Sequence, residues 1–206
     1  MKKLLISISF VFLFFSNFAQ QLGTFNDRRD DKVYKTVKIG TQTWFAENLA
    51  HKKFSGCWAF NDDNNNVAKY GYLYDQDAAE EACPSGWHLP SDAEWTILIT
   101  FLGGEKNAGV KMKATTTWEF DKDGKATNQS GFNALAAGCR AGDHDYVPVG
   151  LTTWFWSSTR SDDPTMLKHI DMFSHAKSIN LLYGDSTIFR AGITRSTGMS
   201  VRCIKD

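Results

Sequence analysis

Three residues in one short stretch, His169, Asp171 and His175, fall at odd-numbered positions, two and four residues apart, so a straight strand would carry all three on one face. Two imidazoles and a carboxylate form a ligand set for a transition metal. With such a metal the chain would be a metal-dependent hydrolase or oxidase; an exposed polar face explains the same pattern. A harder cation has its own candidate. Asp62, Asp63, Asn64 and Asn66 lie in the run Asn61-Asp62-Asp63-Asn64-Asn65-Asn66 and offer the oxygen ligands that calcium takes. The run lacks the Gly and the closing Glu of an EF-hand loop, and a solvated turn accounts for it equally. Asp121-Lys122-Asp123-Gly124 is a weaker version of the same idea, and in Asp143-His144-Asp145 neighbouring strand positions point opposite ways.

Nucleophilic chemistry finds less support. Ser157 and Ser158 lack the Gly-x-Ser-x-Gly elbow, and no motif places a base beside them. His88, between Trp87 and Leu89, reads as a hydrogen-bonded boundary histidine, and Glu94 is accounted for as a helix cap. No catalytic residue is assigned. Trp58 and Trp118 stand in polar surroundings, where an exposed indole can stack on a sugar ring or anchor a protein interface. Local packing is the other reading of both.

The elements that must position these residues begin after residue 19. Met1-Lys2-Lys3, the apolar run Leu4 to Phe15 and the closing Ser16-Asn17-Phe18-Ala19 have the form of a signal peptide cleaved near Ala19. The run is shorter than the ~20 apolar residues that span a bilayer. An exported protein is expected, secreted, periplasmic or at the cell surface, with no transmembrane segment after cleavage and no lipidated Cys at its start. The formal charge is zero, 23 basic against 23 acidic residues. Losing Lys2 and Lys3 makes the mature chain mildly acidic, which excludes the basic footprint of a nucleic-acid partner. Cys57, Cys83, Cys139 and Cys203 are an even set in an oxidising compartment, so disulfides are expected, with three pairings open.

Residues 20–32 read as a polar lead-in and 33–206 as one domain. Val33 to Phe45 is a hairpin turning at Gly40-Thr41, and His51 to Ala68 is loop-like. Tyr70 to Tyr74 is a short strand, and Asp75 caps a helix that Pro84-Ser85-Gly86 ends. Ser91 and Glu94 form a capping box for a second helix, with Trp95, Leu98, Ile99 and Leu102 on one face and Gly103-Gly104 as its stop. Beyond it no further helical stripe is expected. Trp154-Phe155-Trp156 is a buried strand, and more extended pieces run from Thr165 to Ile204. The order is a hairpin, two helices and a loop-rich antiparallel β half, an α+β layout.

Five segments in this order carry a resemblance. They are Ile39-Gly40-Thr41-Gln42-Thr43-Trp44-Phe45-Ala46-Glu47-Asn48-Leu49, Ala82-Cys83-Pro84-Ser85-Gly86-Trp87-His88-Leu89-Pro90-Ser91-Asp92-Ala93-Glu94-Trp95, Gly131-Phe132-Asn133-Ala134-Leu135-Ala136-Ala137-Gly138, Phe155-Trp156-Ser157-Ser158-Thr159 and Gly198-Met199-Ser200-Val201-Arg202-Cys203. Together they resemble the Fibrobacter succinogenes major paralogous domain, whose members are exported proteins of Fibrobacter and Bacteroidetes without an assigned function. The pattern is similar to the C-type lectin-like and sulfatase-modifying-factor folds. That resemblance implies a Cys83–Cys203 disulfide, and with it a Cys57–Cys139 bond, although the family usually has an aromatic residue where Cys139 stands. The calcium-lectin Glu-Pro-Asn motif and the oxidase's C-terminal cysteine pair are both missing, so neither activity carries over.

In lectin-like folds the stretch corresponding to Thr165–Thr197 displays side chains on one surface. The resemblance therefore implies ligand contacts from His169, Asp171, Phe173, His175, Asn180, Tyr183, Phe189 and Arg190, with Trp58 and Trp118 at the rim. The expected function is an exported, non-catalytic binding module for a glycan or a surface protein. A His/Asp metal enzyme or a structural subunit of a surface assembly is the alternative.

Overall fold

The structure, a computed structural model, describes residues 20–119, 126–141, 145–161 and 175–206. Residues 1–19, Asp121 to Gly124, Asp143, His144, His169, Asp171 and Phe173 lie outside the described residues. The described chain is α+β, with mostly antiparallel pairing. No described helix is long and apolar enough to cross a membrane.

The expected hairpin is β2 (Lys32–Ile39) and β3 (Gln42–Phe45), with Val37 opposite Trp44 and Gly40 turning at φ 60°. The lead-in differs from expectation. Gln21–Asp27 is a strand, β1, paired antiparallel along its whole length with β2, Gln21 opposite Lys38 and Asp27 opposite Lys32. Its polar side chains conceal it in the sequence because its outer half is exposed; the backbone pairing holds it in the sheet.

The loop from His51 contains β4 (Cys57–Trp58), two single 3₁₀ turns (Phe60–Asp62 and Asn64–Asn66) and α1 (Val67–Tyr70). Then come β5 (Leu73–Tyr74) and α2 (Gln76–Glu80), where the Asp75 carboxylate accepts from the Ala78 N–H at 2.8 Å. After β6 (Trp87–His88), the capping box forms at the start of α3 (Asp92–Phe101). The stripe of α3 is buried as its spacing requires, Trp95, Leu98, Ile99 and Leu102 all being core residues.

A further helix, α4 (Glu105–Met112), was not expected. Its apolar side is only Ala108 and Met112, a stripe too sparse to stand out, yet both are fully buried. The β half comprises β7 (Cys139–Arg140), β8 (Tyr146–Val147), β9 (Thr152–Arg160), β10 (His175–Leu182), β11 (Ile188–Thr194), β12 (Met199–Ser200) and β13 (Ile204–Lys205).

Among the described residues, β1-β2-β3-β13-β6 form one sheet, β11-β10-β9-β12-β5-β4 a second, and β7-β8 a small third. The last residues thus close both large sheets: β13 sits between β3 and β6, and β12 pairs parallel to β9 and antiparallel to β5. One core cluster lies under α3 and α4 against Trp44, Phe132 and Phe155. A second gathers Tyr34, Phe45, Tyr74, Trp87 and Trp156 around α2.

The Cys83–Cys203 disulfide is present, pinning the end of the α2 region to the C-terminal segment. The second implied bond is not. Cys57 and Cys139 are free thiols, Cys57 half-buried on β4 opposite Tyr74 and Cys139 buried on β7 opposite Val147.

Candidate functional site

Several residues nominated from the sequence are engaged by the fold. Trp118 is only 9% exposed, and its indole N–H donates to the Ala134 carbonyl at 3.0 Å; it is a core residue, not a rim. Asn180 is 3% exposed, its amide donating to Thr152 Oγ1 at 2.7 Å and to the Thr153 carbonyl at 3.1 Å. A buried amide must find such partners, so Asn180 ties β10 to β9 and presents nothing outward. Arg190 reaches back from β11 to α3 and α4, with Asp92 Oδ1 at 2.5 Å, Glu105 Oε1 at 2.9 Å and Thr96 Oγ1 at 3.0 Å. Trp58 is half-buried, with the Arg140 guanidinium 4.2 Å from its ring centroid, so one stacking face is already occupied. His175 opens β10 opposite Thr194. Tyr183 and Phe189 keep exposed rings, at 46% and 39%.

The acidic turn does not form a ligand ring. The Asp63 side chain accepts from the Asn65 N–H at 2.9 Å, the Asn66 amide donates to the Phe60 carbonyl at 3.0 Å, and Asp62 accepts from the Tyr146 hydroxyl at 2.8 Å. Asp62, Asp63 and Asn66 therefore hold a local turn around Asn64 and dock it on β8. Among the described residues, three metal-ligating side chains converge at Asp27, Asp30 and His51. There the Arg29 guanidinium already occupies both oxygens of Asp27, and His51 Nδ1 lies 3.0 Å from Asp30, which makes a hydrogen-bonded network of the cluster.

A groove of about 300 Å³ opens elsewhere, on the β1–β2 face. Its lining includes Gln20 just before β1, Leu22 and Lys35 from the strands, and Asn128, Gly131 and Asn133 from the segment after α4. Strand alternation puts Leu22 and Lys35 on this face, since Leu22 lies opposite Val37 and Lys35 is two residues from it. The opposite wall is fixed from below. Helix α4 ends with carbonyls that have no intrahelical partner. The N–H groups of Thr127, Ser130 and Ala134 bond the carbonyls of Val110, Lys111 and Met112, and that of Asn128 bonds the Lys113 carbonyl, at 2.8–3.0 Å.

Arg202 locks the same wall from the core. It is fully buried and donates to Asn48 Oδ1 at 2.8 Å, to the Phe45 carbonyl at 3.0 Å, to the Asn133 carbonyl at 2.8 Å and to the Phe132 carbonyl. Burial pulls its pKa down to about 9, against the opposing charge of Glu47, so the guanidinium stays protonated at neutral pH. Gly131 is required at φ +72°, and a Cβ there would meet Val37 Cγ2 at 3.0 Å and the Gln20 amide at 3.1 Å. The Gln20 amide crosses the groove's end, donating to the carbonyls of Asn128 and Gln129 at 3.1 and 3.0 Å.

Sequence reasoning placed none of this wall at a site. The missed signals were the Gln21–Asp27 strand, which supplies one wall, and the Ala108/Met112 spacing of α4, whose end carries the 128–133 segment that supplies the other.

No curated protein and no solved structure matches the chain. Residues 37–205 match the family described as the Fibrobacter succinogenes major domain, so β1 and its side of the groove precede the matched segment. With that match covering most of the chain, the chain belongs to the Fibrobacter succinogenes major domain family.

Proposed function

We propose that this protein is an exported, non-catalytic binding module of lectin-like architecture that recognises a glycan or a protein at or outside the cell surface. The leader at residues 1–19 supports export. The observation that carries binding is the groove between β1–β2 and residues 128–133, about 300 Å³ in volume, which is within the size range of small-molecule sites. Its walls are held by helix-end carbonyls and by Arg202, so the site is formed before any ligand arrives.

The test pairs intact-mass analysis with retention. The chain recovered outside the producing cell should begin at Gln20, and it should be retained by insoluble polysaccharide or by a defined protein from culture supernatant. A Lys35→Glu variant of unchanged melting temperature should lose that retention. Recovery of the full 206-residue chain inside the cell only would overturn export, and equal retention of the variant would overturn the groove as the binding site.

A further inference from the structure

Two hydrogen-bond donors on residues that line the groove have no partner among the described residues. The first is Lys35 Nζ, on an exposed residue of β2. The second follows from the amide network. The Asn133 backbone N–H, which can only donate, bonds Asn128 Oδ1 at 2.9 Å. That fixes the Asn128 side chain, whose Nδ2 then donates to Asn133 Oδ1 at 3.4 Å. The atom of the Asn133 amide left over is therefore Nδ2, a donor.

The charge at the groove has the same sense. Lys35 is the one charged side chain in its lining. Directly behind the wall, the buried Arg202 donates to the Asn133 carbonyl. Glu47 accepts from the Lys35 backbone N–H at 2.9 Å and lines a separate depression of about 60 Å³ with Lys32, Lys69 and the other side of Asn133. Unused donors together with a positive charge ask for an acceptor-rich anion. The exposed Leu22 side chain beside them offers an apolar surface for the face of a ring.

We infer that the groove takes a carboxylate-bearing sugar, a hexuronate unit of an acidic polysaccharide. Lys35 Nζ and Asn133 Nδ2 would meet the carboxylate and an adjacent hydroxyl, with Leu22 against the ring. This assignment rests on the binding-module reading and narrows it to one ligand class.

Calorimetric titration of the full chain with a galacturonate trimer, and in parallel with the neutral galactose trimer, tests it. The acidic trimer should bind at least ten times more tightly, and its affinity should fall as salt rises. Lys35→Met should weaken it about tenfold or more. Asn133→Asp keeps the acceptor for Asn128 and tolerates the left-handed backbone, but replaces the free donor with a negative charge, and should weaken it by a similar factor. Equal affinity for both trimers, or an unchanged affinity in Lys35→Met, would overturn the acidic-sugar assignment and leave the binding module standing. Binding of neither trimer would overturn the assignment too, and the retention experiment then decides the wider reading separately.

Discussion

The Nε of Arg202 donates to the side-chain oxygen of Asn48 at 2.8 Å, joining residues 154 positions apart. Asn48 returns its own amide to the Tyr70 carbonyl at 2.8 Å and to Ser200 Oγ at 3.2 Å. Three sequence motifs, around Asn48, Asn133 and Arg202, are thus one hydrogen-bonded unit. Phe132 and Phe155 flank the guanidinium, with ring centroids 4.5 and 5.5 Å from its central carbon. The cation is buried without a carboxylate bonded to it, so every lost acceptor exposes an uncompensated donor.

Replacing Asn48 by Leu should destabilise the protein by about 1–3 kcal/mol, the cost of a buried donor left unmet. Arg202→Met should cost more, because the Phe45, Phe132 and Asn133 carbonyls lose their donor together. Urea unfolding read by tryptophan fluorescence checks both, and an Asn48→Leu midpoint equal to wild type would refute the network's role.

The Cys83–Cys203 bond closes a separation of 120 residues, for which loop entropy predicts about 4–5 kcal/mol of stabilisation. A Cys83→Ser/Cys203→Ser double variant should lose an amount of that order. Burial pushes the Cys57 and Cys139 thiols up to about 11. At pH 8 both should therefore alkylate slowly in the native protein and fast in urea, while non-reducing peptide maps show Cys83 joined to Cys203.

His88 lies between two carboxylates, Nδ1 at 2.6 Å from Asp206 and Nε2 at 2.8 Å from Glu94. Partial burial alone would lower its pKa; the hydrogen bonds to Asp206 and Glu94 outweigh that and raise it. Burial likewise opposes, but Ser91 and His88 prevail in lowering Glu94. The histidine's contribution is complete below its ordinary value of 6.5 and is lost as pH rises through the raised one. That of Glu94 is complete above 4.5 and is lost as pH falls through its lowered value. Stability from this clamp should peak between the two ranges, and His88→Gln should flatten the melting temperature above pH 6. A profile identical to wild type would remove the clamp.

Lys113 is buried, with its ammonium 4.6 Å from the Trp118 ring centroid and bonded to the carbonyls of Asp185, at 2.5 Å, and Leu182. Lys113→Met keeps the bulk but leaves the turn after β10 without that donor. The expected loss is about 1–3 kcal/mol, with faster amide exchange at Tyr183 and Gly184. Trp118→Ala should cost about 3–5 kcal/mol as a core truncation, whereas Phe189→Ala, on the exposed side of β11, should change stability little.

Much of the frame was legible because it is written in local rules. Gly40 turns the hairpin, Ser91 and Glu94 cap α3, Asp75 caps α2, and the spacing of Trp95, Leu98 and Ile99 gives α3 its buried side. These signals lie within a few residues of one another and act on the backbone directly. The motif pattern also carried the family and the Cys83–Cys203 pairing.

The site was not legible by such means. Asn180, Arg190 and Trp118 have the composition of a binding surface, and only packing shows that their polar atoms face Thr152, Asp92 and Ala134 instead of solvent. Strand β1 has no apolar alternation to announce it, since it gains its place from pairing with β2. The groove's donors are defined by subtraction: Asn133 Nδ2 is free because Asn128 has been turned by a backbone N–H five residues away, and the wall holding it hangs on Arg202, 69 residues on. Sequence by itself determined the capped helices, the hairpin and the family; tertiary structure alone decided the place of β1 and α4 and which polar groups remain for a ligand, because that depends on which partners folding has already supplied.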